Sequence, residues 1–247
     1  MLIAANWKAY VEDATRAKTL FSIAKRLAKK SGYDIVLAPP APLLGTLARG
    51  NRSSVAFAAQ DVSHTTGGAQ TGEVTAQAYA AARASYAIVG HSERRRAGGT
   101  NEIVAEKLAH ALAHGLTPIL CVGERARDGE GRDLAFVRDE LASALEPLTP
   151  KERVRVIIAY EPIWAIGKTA ADAINPADLT EMVLYLRKVL AGLLPGKGSS
   201  RAQVLYGGSV EPSGVRDLTA GSGVDGVLVG HASVDPNTFA ALIQALI

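Results

Sequence analysis

Several short stretches of this sequence carry side chains that could do chemistry together. Asn6-Trp7-Lys8 closes one apolar run, Gly90-His91-Ser92-Glu93-Arg94-Arg95 another and Ala159-Tyr160-Glu161-Pro162 a third. Tyr206-Gly207-Gly208-Ser209-Val210 and Val229-Gly230-His231-Ala232-Ser233 close further runs with small residues. Such a set suits one reaction class, the movement of a proton between adjacent carbons beside a carbonyl. That reaction needs a base, an electrophile at the carbonyl oxygen and a fixed cation for the enediolate. Glu161 is the candidate base, His91 the electrophile and Lys8 the cation. Backbone N–H groups of Gly207-Gly208-Ser209 and Gly230-His231 could hold a phosphate. Singly, each residue has an ordinary explanation: a solvated glutamate or lysine, or a satisfied core histidine. The argument for chemistry rests on all of them standing at run ends.

The elements that must position these residues alternate. Candidate strands are Leu2–Asn6, Asp34–Ala38, Val55–Gln60, Tyr86–Gly90, Thr117–Val122, Val154–Tyr160, Gln203–Tyr206 and Val227–Gly230. They are apolar on nearly successive positions, which marks strands buried on both faces and hence a parallel sheet. Between them lie helical patterns at Asp13–Lys30, Pro42–Arg49, Thr75–Ala82, Asn101–His114, Asp133–Leu145, Pro176–Leu194, Val215–Leu218 and Asp235–Leu246. Thr100 and Asn175 suit N-caps, Pro176 a first helical position, and Gly115 a helix end. This alternation implies a barrel or a doubly wound sheet. A length of 247 residues is close to the roughly 250 typical of an eightfold β/α barrel, whose chemistry sits at the C-terminal ends of the strands. No composition shift marks a linker, so residues 1–247 are expected to form a single domain.

Composition narrows the partners. Apolar residues make up 48% and charged residues 21% of the chain, as in ordinary globular proteins. The net charge is +3, with a pI near 9.0. That suits a small anionic ligand and is too weak and scattered for nucleic acid. Cys121 is the single cysteine, so a reducing, cytoplasmic setting fits. The first residues do not read as a signal peptide, and no apolar run is long enough for a membrane span.

Some apparent motifs fail on context. Gly221-Ser222-Gly223-Val224-Asp225-Gly226 spells a dinucleotide fingerprint, but it precedes a strand instead of following one. Gly167-Lys168-Thr169 lacks the upstream P-loop glycine, whose place holds Pro162. Gly207-Gly208-Ser209-Val210-Glu211 has Glu211 where a nucleophile elbow needs glycine. His110 and His114 share a helix face, yet histidines in a last turn also complement the helix dipole, and no carboxylate completes a metal site.

The stretches that open this section, together with Cys121-Val122-Gly123-Glu124 and the continuation of the third as Ile163-Trp164-Ala165-Ile166-Gly167, resemble the triosephosphate isomerase family. They do so in order, from the first strand to the last helix. The resemblance implies a (β/α)8 TIM barrel that interconverts dihydroxyacetone phosphate and glyceraldehyde 3-phosphate in glycolysis and gluconeogenesis, with neither metal nor cofactor. It implies that Glu161 shuttles the proton, neutral His91 polarises the carbonyl, Lys8 stabilises the enediolate, Asn6 adds a hydrogen bond and Glu93 orients the Lys8 and His91 region. Gly167, Ser209, Gly230 and His231 would bind the phosphate, and Pro162 to about Ala170 would close as a lid. Cys121 and Glu124 would support the site from behind, or be an ordinary buried thiol and a solvated acid. The loop Asp61–Gly72 would enter a partner subunit of a homodimer.

The sequence departs from the family pattern in three places. The lid is about two residues longer, which loop ends absorb cheaply. A histidine, His231, replaces the second glycine after the last strand; its amide is expected to face the phosphate, and its ring either to point away and fill space left by the changed lid or to approach the phosphate as a further donor, charged when protonated. Gln70 replaces the aromatic that usually precedes Thr71-Gly72-Glu73. These departures keep two other readings open. One is an isomerase of a four-carbon ketose phosphate, erythrulose phosphate. The other is an inactive barrel that binds a partner.

Overall fold

The computed structural model describes residues 1–128, 130–167, 174–196 and 198–247, with the backbone alone at 199 and 200. Its strands are β1 Leu2–Asn6, β2 Asp34–Ala38, β3 Ala56–Ala59, β4 Tyr86–Val89, β5 Thr117–Val122, β6 Ile157–Tyr160, β7 Val204–Tyr206 and β8 Gly226–Val229. Its helices are α1 Ala14–Ser31, α2 Ala41–Ala48, α3 Ala76–Ala81, α4 Ser92–Arg96, α5 Asn101–Ala113, α6 Arg132–Leu145, α7 Pro150–Arg153, α8 Pro176–Leu193, α9 Gly198–Arg201, α10 Val215–Thr219 and α11 Pro236–Leu246. Every strand is parallel to its neighbours, and β1 pairs with both β2 and β8, so the sheet is a closed barrel in sequence order. Of the architectures open to an alternating pattern, the barrel is therefore the one adopted.

Strand parity explains both the core and the site. Side chains alternate between the two faces of a strand. Ile3, Ala5 and Trp7 on and after β1 join the large apolar cluster between barrel and helices, as do Ile35 and Leu37 of β2 and Val227 and Val229 of β8. Leu2 and Ala4 join a separate cluster with Val36, Ala58, Ile88, Ile119, Cys121, Ala159, Leu205 and Leu228, which fills the barrel. Continuing the inward parity past each strand's end reaches Asn6, Gln60, Glu161, Gly207 and Gly230. The residues that follow the inner core upward are thus the polar and small ones that a site needs.

The helices are built to cover the outer face. Asp13 caps α1 by accepting the Arg16 N–H at 2.8 Å, and Gly32 ends it in a left-handed conformation. Its buried stripe, Ala17, Leu20, Phe21, Ala24, Leu27 and Ala28, follows helical spacing. Each fully buried leucine there contributes roughly 1.5–3 kcal/mol. Asn175 and Pro176 open α8 as their types predict.

The expected strand Val154–Tyr160 is shorter than its apolar pattern. Thr149 and Glu152 form a capping box with Pro150 in the first turn, so the chain spends 150–153 in helix α7. Val154 caps that helix and is exposed, and the strand begins only at Ile157. Helices α4, α7 and α9 were not expected; none exceeds 5 residues, too few to show a period.

Candidate active site

The loop after β1 is held in an unusual conformation. Lys8 has φ +47°, a left-handed backbone that costs a non-glycine residue about 1–2 kcal/mol. Its surroundings fix it there. Asn6 Oδ1 accepts the Lys8 N–H at 3.0 Å, and the Gln60 amide donates to the carbonyls of Lys8 and Ala38, both at 2.9 Å. The buried Trp7 anchors the turn among the helices. The Lys8 ammonium then reaches Glu93 Oε1 at 2.7 Å. Burial works to raise the Glu93 carboxyl, but the hydrogen bond and charge of Lys8 outweigh it and hold that carboxyl below its usual range.

The loop after β4 fixes the state of His91. His91 is the N-cap of α4, and its Nδ1 accepts the Glu93 N–H at 3.2 Å. A nitrogen that accepts from an amide carries no proton of its own, so the ring is the neutral tautomer with its hydrogen on Nε2. Nε2 lies 3.3 Å from Glu161 Oε1. The histidine therefore presents a donor to the site without a positive charge. Arg95 braces this loop against its neighbour: its guanidinium donates to Gly90 O at 2.9 Å and Asn101 Oδ1 at 2.7 Å, and lies 3.3 Å from Glu140. Glu140 in turn accepts the Gly123 N–H at 2.9 Å. Burial raises the Glu140 carboxyl despite the nearby Arg95.

Glu161 follows β6 and is 2% exposed. Besides His91, its carboxylate accepts the Ser92 N–H at 3.2 Å. Two glycines make room for it. A Cβ on Gly207 would stand 2.9 Å from Glu161 Cγ, and one on Gly123 would stand 1.9 Å from its carbonyl oxygen. Cys121 lies in the inner core, where burial foremost and the Glu161 charge next push its thiol well above the usual range. It remains a thiol at neutral pH. Glu124 is also buried, with Oε1 accepting from Tyr160 OH at 2.8 Å and Trp164 Nε1 at 2.7 Å. It is not the solvated acid that was one of its expected roles. Arg127 stacks over Trp164 at 5.7 Å, so the segment just after Glu161 is tied from beneath.

The small-residue loops complete one cavity of about 120 Å³, lined by Asn6, Lys8, His91, Glu161, Gly167, Ser209, Gly230 and His231 among others. The residues expected at the site converge there, with Glu93 one hydrogen bond behind. Gly230 leads into a short 3₁₀ turn, His231–Ser233, and the His231 ring meets Tyr10 edge to face. Of the expected lid, Pro162–Gly167 is described, with a 3₁₀ turn at Ile163–Ala165; Lys168, Thr169 and Ala170 lie outside the described residues. A second cavity of about 430 Å³ opens between Lys8, Glu93 and the loop that runs through Asp61, Gly72 and Val74. Among the described residues, no group of three or more His, Cys, Asp and Glu side chains is arranged to hold a metal ion. Nor is any described helix long and apolar enough to cross a membrane.

Sequence reasoning missed Gln60, Arg95, Glu140 and the Ser92 amide. Gln60 was legible in principle, since it holds the inward position above β3. The Arg95–Glu140 brace joins residues far apart in the chain and left no local signal.

Comparison with known proteins agrees with this geometry. The family model for triosephosphate isomerase matches residues 1–246. A triosephosphate isomerase of Symbiobacterium thermophilum is 39% identical over 247 residues, covering 99% of this chain and 96% of that protein. One from Thermus thermophilus is 40% identical, covering 99% of this chain and 98% of its own. One from Roseiflexus sp. is 36% identical over 250 residues.

Proposed function

The chain belongs to the triosephosphate isomerase family, and from that premise we propose how its residues carry the reaction. The enzyme interconverts dihydroxyacetone phosphate and glyceraldehyde 3-phosphate, an aldose–ketose isomerisation. Glu161 takes a proton from the carbon beside the carbonyl and returns it to the neighbouring carbon. To do so its carboxylate leaves the Ser92 N–H and turns toward substrate, keeping its reach by a short rotation inside the space left by Gly207. His91 Nε2–H donates to the carbonyl oxygen as charge develops there. Being neutral, the ring can pass a proton between the two substrate oxygens. The Lys8 ammonium stabilises the enediolate and attracts the dianionic substrate. Asn6 holds the Lys8 backbone, and Glu93 holds both the ammonium and the His91 Nδ1. Amides of Gly167, Ser209, Gly230 and His231 cradle the phosphate, and closure of the segment after Pro162 excludes water from the enediolate.

The observation that carries this reading is the neutral His91 donor aimed at a buried carboxylate in the cavity that Lys8 lines. A coupled assay offered both triose phosphate and erythrulose phosphate tests it. Turnover with triose phosphate far above that with the four-carbon ketose is expected; the reverse order would overturn the substrate, and no turnover with either would overturn the chemistry.

We further propose a cytoplasmic homodimer in which the loop Asp61–Gly72 of each copy fills the larger cavity of the other. Residues 66–74 are exposed, and Asp61 at the loop's base is pinned by Arg94 at 2.7 Å and Lys107 at 2.6 Å. The closed barrel, with β1 paired to β8, supports a single domain over the whole chain.

A further inference from the structure

The loops after β1 and β8 are joined by two independent contacts at the edge of the small cavity. The first is the ring pair: Tyr10 and His231 stand with centroids 5.5 Å apart and planes at 76°. The second is Arg16 of α1, whose guanidinium donates to Tyr10 O at 3.0 Å and to Val234 O at 2.9 Å. Tyr10 and His231 both line the same cavity as Lys8, Glu161, Gly167 and Ser209. Both are also open to water: Tyr10 is 50% exposed and His231 is exposed. An edge-to-face contact restrains the orientation of an imidazole.

We propose that Tyr10 and His231 form an additional anion-binding wall of this cavity, with Tyr10 holding the imidazole beside the phosphate cradle so that its protonated form adds a cation for the substrate's phosphate. The proposal rests on the reading of this cavity as the phosphate site. Charged and titratable groups reach this corner from each surrounding element. Lys8 and Tyr10 come from the β1 loop, Arg16 from α1, Glu211 from the β7 loop and Asp235 from the start of α11. The Lys8 ammonium is paired with Glu93, and the Arg16 guanidinium with two carbonyls. Asp235 is held below its usual range, first by the Thr238 amide, with Arg16 among the lesser causes. Across the cavity stand Glu161 and a second histidine, His91, whose Nδ1 is engaged by the Glu93 N–H. His231 is therefore the histidine at this corner and the residue type there that changes charge near neutrality. Linkage then requires that anion binding and imidazole protonation favour each other by the same factor.

Inorganic sulfate is the probe, because it stays a dianion from pH 5.5 to 8.5 while a phosphate ester does not. Proton NMR of the imidazole C2 hydrogens, with the His231 signal identified by its loss in His231→Asn, reads the titration directly and needs no turnover. Saturating sulfate should move the His231 midpoint to higher pH. The sulfate dissociation constant should weaken by about threefold from pH 5.5 to 8.5, the scale of a partly exposed ion pair. In His231→Asn that pH dependence should flatten. Tyr10→Phe keeps the aromatic ring and should preserve the shift, whereas Tyr10→Leu should reduce it. A His231 midpoint that ignores sulfate would overturn the proposal, even in a fully active isomerase. A shifted midpoint in a protein that turns over no triose phosphate would leave the anion wall standing and remove the isomerase reading instead.

Discussion

The roles proposed for Glu161 and Lys8 are separable, and substitution can tell them apart. Glu161→Gln keeps the shape and can still accept from the Ser92 amide, but it cannot take a proton. Its kcat should fall by about 10²–10⁴, the range of a positioned general base, with the melting temperature close to that of the parent by circular dichroism. Wild-type turnover in this variant would remove Glu161 from the role. Lys8→Met removes the charge and should lower kcat/KM by roughly 10²–10³, equivalent to the loss of about 3–4 kcal/mol from one oxyanion-stabilising group. Added salt should not rescue it; a variant within twofold of the parent would refute the assignment. The same substitution also has a signature in acid. A carboxyl whose pKa is lowered on folding contributes stability above its unfolded value, near 4.5 for Glu93, and loses it as pH falls through the lower folded value. Glu93 is half exposed, so the effect is small. Thermal unfolding of Lys8→Met should nevertheless fall less steeply than the parent's below pH 4.5. An identical slope would mean that Lys8 does not hold the Glu93 charge.

At the scale of elements, the small 3₁₀ turn Ile163–Ala165 stands where the proposed lid would begin. Trp164 anchors it by donating to Glu124, a buried acceptor also bonded to Tyr160. Trp164→Phe retains most of the packing and removes one hydrogen bond to a charged group, worth about 1.5–3 kcal/mol. Stopped-flow and steady-state kinetics should then show a raised KM and a smaller kcat, because the segment that carries Gly167 starts from a looser base. Unchanged kinetics would place the Trp164–Glu124 bond outside the working lid. The strands and long helices were legible because their hydrophobic pattern is the packing itself: β1, β2 and β5 fall on their expected bounds, α1 shifts by a residue at both ends, and α8 starts as expected and ends one residue early. What was not legible has a common cause. Helix α4 exists because His91 caps it, and α7 because a capping box overrides the apolar run at Val154. Both are set by single side-chain bonds that no periodicity reports. Glu161 could be read from its strand end because inward parity carries the inner core straight up to it, as it does to Asn6 and Gly207. Gln60 obeyed the same rule, but its amide bonds to Lys8 and Ala38 require knowing that β3 lies beside β2 and β2 beside β1 in the barrel.

At the scale of the whole molecule, the open question is what fills the larger cavity beside the site. One wall is the Lys8–Glu93 pair and another is the exposed loop from Asp61 to Val74. At the start of the loop Val62 packs into the core, the Ser63 hydroxyl meets Thr65 and the Ser63 amide donates to the Val74 carbonyl at 2.9 Å, while residues 66–74 are exposed. Its base is also held by charge. Asp61 receives Arg94 and the buried Lys107, and its charge, after burial itself, helps push the Tyr79 hydroxyl up to about 12. A rigid base carrying an exposed tip is the form of a surface that docks into another. In a twofold dimer the tip of one copy would enter the cavity of the other, placing Thr71 beside Lys8 of the second copy. Gln70 presents a polar side chain where an aromatic anchor would bury more area, so this dimer should dissociate more readily than one with an aromatic at that position. Light scattering should show a dimer at micromolar concentration. Thr71→Arg, which inserts a charge next to the Lys8 ammonium, should yield a folded monomer with kcat lowered by tenfold or more, in line with roughly 1.4 kcal/mol per decade. Its Lys8–Glu93 pair would be left against water instead of protein. A parent protein that is monomeric and fully active at micromolar concentration, or a Thr71→Arg monomer with undiminished kcat, would separate assembly from catalysis and sink the dimer as part of the site.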